Sequence, residues 1–235
     1  MVVSAVIFDL DGTLADTMDD LKTAMNNMLK RLGYKTRSKP ELLSFINRGA
    51  RNFVRSSLPK VVQDSELILD SAMEIYEQEY AQCYCENTYA YDGMKEALEG
   101  LKEKGIRIGV LSNKQDAFVK HICEKLFGKG FFKVTMGQTS LPTKPDPQGA
   151  LLVCKLLGVK PQNCIMVGDS DVDMMTAQNA GLTSIGVSWG YRSEDVLSRA
   201  GADYIVESTE ELLDAIYETV KKNQQKRLKG TKKEN

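Results

Sequence analysis

The sequence predicts an α/β protein: a parallel sheet covered by helices on both faces and interrupted by a helical insert. Three observations predict it. An apolar run, Val6-Ile7-Phe8, opens the chain. Beyond residue 90, short apolar runs alternate with amphipathic segments, the signature of βαβ units. Between these regions, residues 16–88 show helical periodicity and no strand pattern.

The first strand ends in Asp9 and Asp11, followed by Gly12 and Thr13. Residues i and i+2 of a strand point to one side, so both carboxylates face one site if the strand continues. Gly12 lets the backbone turn sharply after them. Carboxylates this close repel, and a divalent cation or a transferred proton between them resolves the conflict. The plain alternative is an acidic turn, since Asp-Gly is a common turn pair.

In the insert, helices are expected over 19–31, 40–47, 50–58 and 67–84. Leu21, Met25, Met28, Leu29 and Leu32 recur at helical spacing in and just after the first of these. Connectors at 15–17 and 88–92 join the insert to the rest, the arrangement of a hinged lid over the strand ends. Past residue 90, helices over 93–104, 116–126, 148–157, 171–180, 193–200 and 209–222 alternate with strands over 107–111, 133–136, 164–167, 184–187 and 204–206. Strands this densely apolar suit a sheet buried on both faces. The expected organisation is a Rossmann-like core of residues 1–15 and 89–222, a helical cap domain of 16–88, and a basic, disordered tail of 223–235.

The chain has 235 residues, 42% hydrophobic and 27% charged, with a net charge of -1. That composition gives no global signal for nucleic acid or a membrane. Residues 221–235 carry seven Lys/Arg and one Glu, which reads as a solvated terminus. No apolar stretch is long enough to span a bilayer, and no leader pattern precedes the first strand. The five cysteines are odd in number and form no CxxC pair, the usage of reduced thiols in a cytoplasmic protein. His121 is the sole histidine, which excludes Ser-His-Asp and Cys-His catalysis and any multi-histidine metal site. Nothing argues for a dimer, and a monomer is expected.

Ligands of open parallel sheets bind beyond the carboxyl ends of the strands. Those ends carry Asp9 and Asp11; Ser112, Asn113 and Lys114; the loop Thr143-Lys144-Pro145-Asp146-Pro147; and Asp169-Ser170-Asp171 with Asp173 further on. Carboxylates, a hydroxyl and a lysine thus converge from several strands, as phosphoryl transfer through an acyl phosphate requires. Taken singly, Ser112 and Asp169 could instead cap the following helices, Asp173 could favour its helix N-terminus, and Lys144 could be a solvated loop residue.

DLDGT at 9–13, VLSNK at 110–114, KPDP at 144–147 and VGDSDVDMMTAQNAG at 167–181 resemble, in order and spacing, the four motifs of the haloacid dehalogenase (HAD) superfamily. The helical insert, the Asn-Lys pair after Ser112 and the Ser188-Trp189-Gly190-Tyr191 segment resemble its phosphoglycolate phosphatase branch. The resemblance implies a HAD-like fold and a Mg²⁺-dependent phosphatase acting on a small phosphorylated metabolite. It implies Asp9 as nucleophile and Asp11 as general acid and base. Asp9, Asp169 and the Asp11 carbonyl would be Mg²⁺ ligands, with Asp173 and Thr13 in support. Ser112, Asn113 and Lys144 would bind the phosphoryl group. In the insert, Arg48 and Arg51 could bind a substrate carboxylate. Asn47 stands where the branch has a glycine, so sugar phosphates, nucleoside monophosphates and pyrophosphate stay open beside phosphoglycolate. A phosphosugar mutase of the same fold is weaker, because Leu21 occupies the position of its histidine. A non-enzymatic phospho-receiver or binding protein is the alternative of another class.

Overall fold

The computed structural model describes residues 4–231. Strand β1 (Ala5–Phe8) is followed by β2 (Ala15–Asp16) and four helices: α1 (Met18–Arg31), α2 (Lys39–Phe45), α3 (Ala50–Ser57) and α4 (Glu66–Cys83). After β3 (Tyr89–Ala90) come α5 (Met94–Glu103), β4 (Arg107–Gln115), α6 (Asp116–Phe127), β5 (Val134–Gln138) and α7 (Gln148–Leu157). The chain then forms β6 (Cys164–Gly168), α8 (Asp171–Ala180), β7 (Thr183–Val187), α9 (Glu194–Arg199), β8 (Tyr204–Val206) and α10 (Thr209–Thr231).

Six strands form one sheet in the order β5-β4-β1-β6-β7-β8, and every pair is parallel. The central strand β1 is apolar at every position because both of its faces are covered. Val6 and Phe8 pack with Leu98, Ile122 and Ile216 on one face. Ala5 and Ile7 pack with Val153 and Ala177 on the other. Strand order reverses about β1, whose neighbours are β4 and β6. A crevice therefore opens at its carboxyl end, just where Asp9 follows.

The helical insert has a hydrophobic cluster of its own. Met18, Leu21, Met25, Met28 and Leu29 of α1 are buried with Leu69, Ala72, Tyr76 and Tyr80 of α4. Burial of such side chains contributes roughly 1.5–3 kcal/mol each. The two connectors pair with each other: β2 and β3 form an antiparallel ribbon, Ala15 opposite Ala90 and Asp16 opposite Tyr89. Fully buried Asp20 of α1 fastens the second connector, accepting from the Asn87 backbone N–H, the Asn87 amide and the Thr88 hydroxyl.

The structure differs from the sequence reading at several boundaries. The β2–β3 ribbon was not expected, because two-residue strands carry no alternation to read. Strand β4 runs to Gln115, so Ser112, Asn113 and Lys114 lie on the strand, beside a register shift between Leu111 and Gln115. Helix α2 stops at Phe45, and Asn47 has φ +84°, which no helix accommodates. Helix α10 continues past Lys222 to Thr231, and Gln224 to Lys229 are residues of good helix propensity. Residues 232–235 of the basic tail lie outside the described residues.

Candidate active site

The crevice is built where β1 stops. The Asp9 N–H still donates to the Val167 carbonyl at 2.9 Å, holding Asp9 in the sheet's ladder. The chain then turns: the Leu10 carbonyl accepts from the N–H groups of Thr13, Leu14 and Ala15. Gly12 sits in the turn at φ +85°, and a Cβ there would stand 2.4 Å from Asp169 Oδ2. Gly190 is as constrained, since its Cβ would meet the Asp169 Cβ at 2.2 Å. Both positions therefore need glycine for Asp169 to occupy its place. The turn also separates the two aspartates. The strand does not continue to Asp11, and the two side chains find different partners.

Asp9 is buried and its Oδ1 lies 2.9 Å from Lys144 Nζ. The angles of this ion pair leave Oδ1 without an aligned hydrogen bond. Lys144 also donates to Asp173 Oδ1 at 2.5 Å. Asp173 Oδ2 accepts from the Ser170 N–H and hydroxyl, so Asp173 both closes the start of α8 and holds Lys144. Asp169 is fully buried, accepting from the Tyr191 N–H at 2.7 Å and from the Thr13 hydroxyl at 3.4 Å. One oxygen from each of Asp9, Asp169 and Asp173 lies within 4.8 Å of the others.

Three buried carboxylates share one buried ammonium. Burial lifts the Asp9 carboxyl to about 7; Lys144 opposes the shift, and Asp173 and Asp11 add to it. Burial, then Asp173 and Asp9, pushes Asp169 well above the usual carboxylate range. Burial alone would lower the Lys144 ammonium, but Asp173 and Asp9 outweigh it and hold it above its ordinary value. Surplus anionic oxygen in a dry site suits a hard divalent cation, which takes oxygen ligands. The Asp9, Asp169 and Asp173 carboxylates are the residues that could hold one.

A cavity of about 670 Å³, its mouth included, connects these groups to the insert. Asp9, Asp11, Ser112 and Lys144 line its floor; Leu21, Phe53, Tyr76 and Tyr80 wall it from above.

The comparisons agree with this geometry. The family model of haloacid dehalogenase-like hydrolases matches residues 6–187. The chain belongs to this family. A phosphoglycolate phosphatase of Nitrosospira multiformis is 35% identical over 210 residues, covering 88% of this chain and 92% of that protein. One from Colwellia psychrerythraea is 31% identical over 213 residues, covering 88% and 94%. A crystal structure from Lactobacillus delbrueckii subsp. bulgaricus, provisionally named a phosphoglycolate phosphatase, superposes with a TM-score of 0.85 at 29% identity. It covers 92% of this chain and 99% of that one.

In this hydrolase, the structure brings together Asp9, Asp11, Ser112, Asn113 and Lys144 along the cavity, with Asp169 and Asp173 beneath it. Thr13 supports Asp169. The Ser112 hydroxyl lines the cavity and accepts from the Lys114 N–H at 3.3 Å. Asn113 grips the backbone of Lys144 from both ends: its Oδ1 accepts from the Lys144 N–H at 2.8 Å, and its amide donates to the Lys144 carbonyl at 3.0 Å. Its amide also reaches the Asn47 carbonyl of the insert.

The structure does not bring the two insert arginines to the cavity. Arg51 is held outside by Glu66 and Asp70, at 2.6 and 2.7 Å. Arg48 has a 68% exposed side chain 3.5 Å from Asp171. Neither lines the cavity. Arg51 lies in the first turn of α3 and pairs with α4. Arg48 lies just before α3 and reaches across to Asp171 at the start of α8. Sequence reasoning also left residues without a role. Lys114 lines the cavity and pairs with Asp11 at 2.7 Å. Its signal was available, since it lies two residues from Ser112 on one strand. Arg192 donates to the Leu43 and Ile46 carbonyls of the insert, and only the tertiary structure shows that contact.

Proposed function

We propose that this hydrolase is a Mg²⁺-dependent phosphatase that cleaves a small phosphomonoester through an aspartyl-phosphate on Asp9. The observation that carries this reading is the buried Asp9–Lys144 pair at the carboxyl end of the central strand, open to a cavity. A carboxylate ion-paired with an ammonium can attack phosphorus without a base to activate it. Asp11, across the turn, gives a proton to the leaving alcohol and later takes one from the hydrolytic water. The Ser112 hydroxyl donates to a phosphoryl oxygen, and Lys144 neutralises charge as the phosphate approaches Asp9. Mg²⁺ would be held by Asp9, Asp169, Asp173 and the Asp11 carbonyl, and would supply charge neutralisation between phosphate and carboxylates. Residues 16–88 act as a cap domain that excludes water from the core of residues 1–15 and 89–222. The protein works as a cytoplasmic monomer on a metabolite. No described helix is long and apolar enough to cross a membrane.

The test is phosphate release across a panel of small phosphomonoesters, with and without EDTA. 2-Phosphoglycolate, the substrate in the relatives' names, is the first compound of the panel. Multiple turnovers lost in EDTA are expected. A stoichiometric phospho-aspartate without turnover would instead make the protein a phospho-receiver.

The raised carboxyls give a second expectation. In metal-free protein, folded Asp9 and Asp169 keep protons at a pH where the unfolded chain has released them. The folded state then binds more protons, so stability falls as pH rises from the ordinary carboxylate range to about 7. A cation replaces those protons. The rise in Tm on adding Mg²⁺ should therefore be larger at pH 8 than at pH 5, read by thermal melts. Equal rises at both values would take the cation away from this cluster.

A further inference from the structure

We propose that Lys114 is a positioning residue that fixes Asp11 for proton transfer, in concert with Thr17. This rests on the assignment of Asp11 as the acid and base of the phosphatase. Lys114 Nζ lies 2.7 Å from Asp11 Oδ1, with only 7% and 13% of the two side chains exposed. The Thr17 hydroxyl donates to the same oxygen at 2.5 Å. Thr17 is itself held, its N–H donating to the Tyr191 hydroxyl at 2.9 Å. The ammonium also stands 4.8 Å from the centre of the Tyr80 ring of the insert. Three separate parts of the chain thus meet around one carboxylate oxygen.

All of the described hydrogen bonds to this carboxylate fall on Oδ1, and Asp11 lines the cavity. One oxygen is anchored and the other is left for chemistry. A buried ion pair is poor value for stability alone, because an apolar pair of similar volume often serves as well. Its use here is orientation. The division of labour between the two lysines of the cavity supports this. Lys144 serves Asp9 and Asp173, and Lys114 serves Asp11.

In the first step an Asp9 oxygen bonds to phosphorus while the bond from phosphorus to the ester oxygen breaks. The departing oxygen keeps that electron pair and takes the proton from Asp11 Oδ2. In the second step a water oxygen bonds to phosphorus and its proton returns to Asp11 Oδ2. The bond from phosphorus to Asp9 breaks, and its electron pair goes back to the Asp9 carboxylate. An alkyl ester needs the proton in the first step. A p-nitrophenyl ester does not, because nitrophenolate leaves unprotonated.

The test compares kcat/KM, which reports the first step, for an alkyl phosphate and p-nitrophenyl phosphate. Lys114→Met should lower the alkyl value about 10²-fold, the cost of misplacing a reacting group. The aryl value should change less than about threefold, since general acid catalysis is not needed there. Lys114→Arg should restore most of the alkyl value, and KM should stay near that of the wild type. Thr17→Val should show the same selectivity more weakly, and it answers the question if Lys114→Met does not fold. Asp11→Asn is the reference for the full effect. Equal losses on both esters, or a rise in KM confined to carboxylated substrates, would overturn the proposal. The second result would make Lys114 a substrate ligand. Selectivity missing from Asp11→Asn itself would fault the assignment of Asp11, and a wild type that turns over neither ester would fault the phosphatase reading.

Discussion

Asp9→Asn is expected to lower turnover by at least about 10³-fold, the scale of removing a covalent nucleophile. The amide keeps the shape of the side chain but cannot form the acyl phosphate. The loss should not come from unfolding. Asp9 is buried, and its carboxyl is raised to about 7 because burial penalises the charged form. A neutral isostere removes that penalty, while Lys144 keeps Asp173 at 2.5 Å. The metal-free Tm of the variant should therefore equal or exceed that of the wild type, and its gain on adding Mg²⁺ should shrink. Single-turnover kinetics and thermal melts in EDTA check both halves. Retained steady-state hydrolysis would remove Asp9 from its role.

Lys144→Met should act in the opposite sense on stability. It leaves Asp9, Asp169 and Asp173 buried together with no counter-charge. Breaking a buried pair from one side costs about 3–5 kcal/mol. For a chain of this size that is a fall in Tm of roughly 10 °C. Activity should fall by about 10²-fold or more, as on removing a preorganised charge from a developing anion. Added Mg²⁺ should recover part of the Tm and little of the activity, because the cation relieves the carboxylates without replacing the ammonium beside Asp9. An unchanged Tm in EDTA would show that the ion pair carries no stability.

How much of this was legible beforehand varied by element. The inner strands β1 and β6 follow from dense apolar runs, since a strand buried at every position has no polar position to obscure it. α1 was readable from Leu21, Met25, Met28 and Leu29, all of which are buried. The ribbon of β2 and β3 was not, because each strand exists only through its partner across the insert. Asp9, Ser112 and Lys144 could be nominated because strand ends converge in any open parallel sheet. The partners of Asp11 could not, since they depend on the turn at Gly12.

The arginines make the same point from the other side. Residue type alone suited Arg48 and Arg51 to an anion, but it does not say where each side chain reaches. Glu66 and Asp70 hold Arg51 on the outside of α3, and Asp171 holds Arg48.

The sequence by itself determined the parallel α/β core, the helical insert, and the set of acidic, hydroxyl and lysine groups at the strand ends. These are written in periodicity and in local motifs, which need no distant partner to be read. Only the tertiary structure decided which lysine serves which aspartate, which three carboxylates could share a cation, and which insert residues face the cavity. Such choices are made by contacts between segments far apart in the chain, where a few ångströms and the loss of water fix each charge to one neighbour.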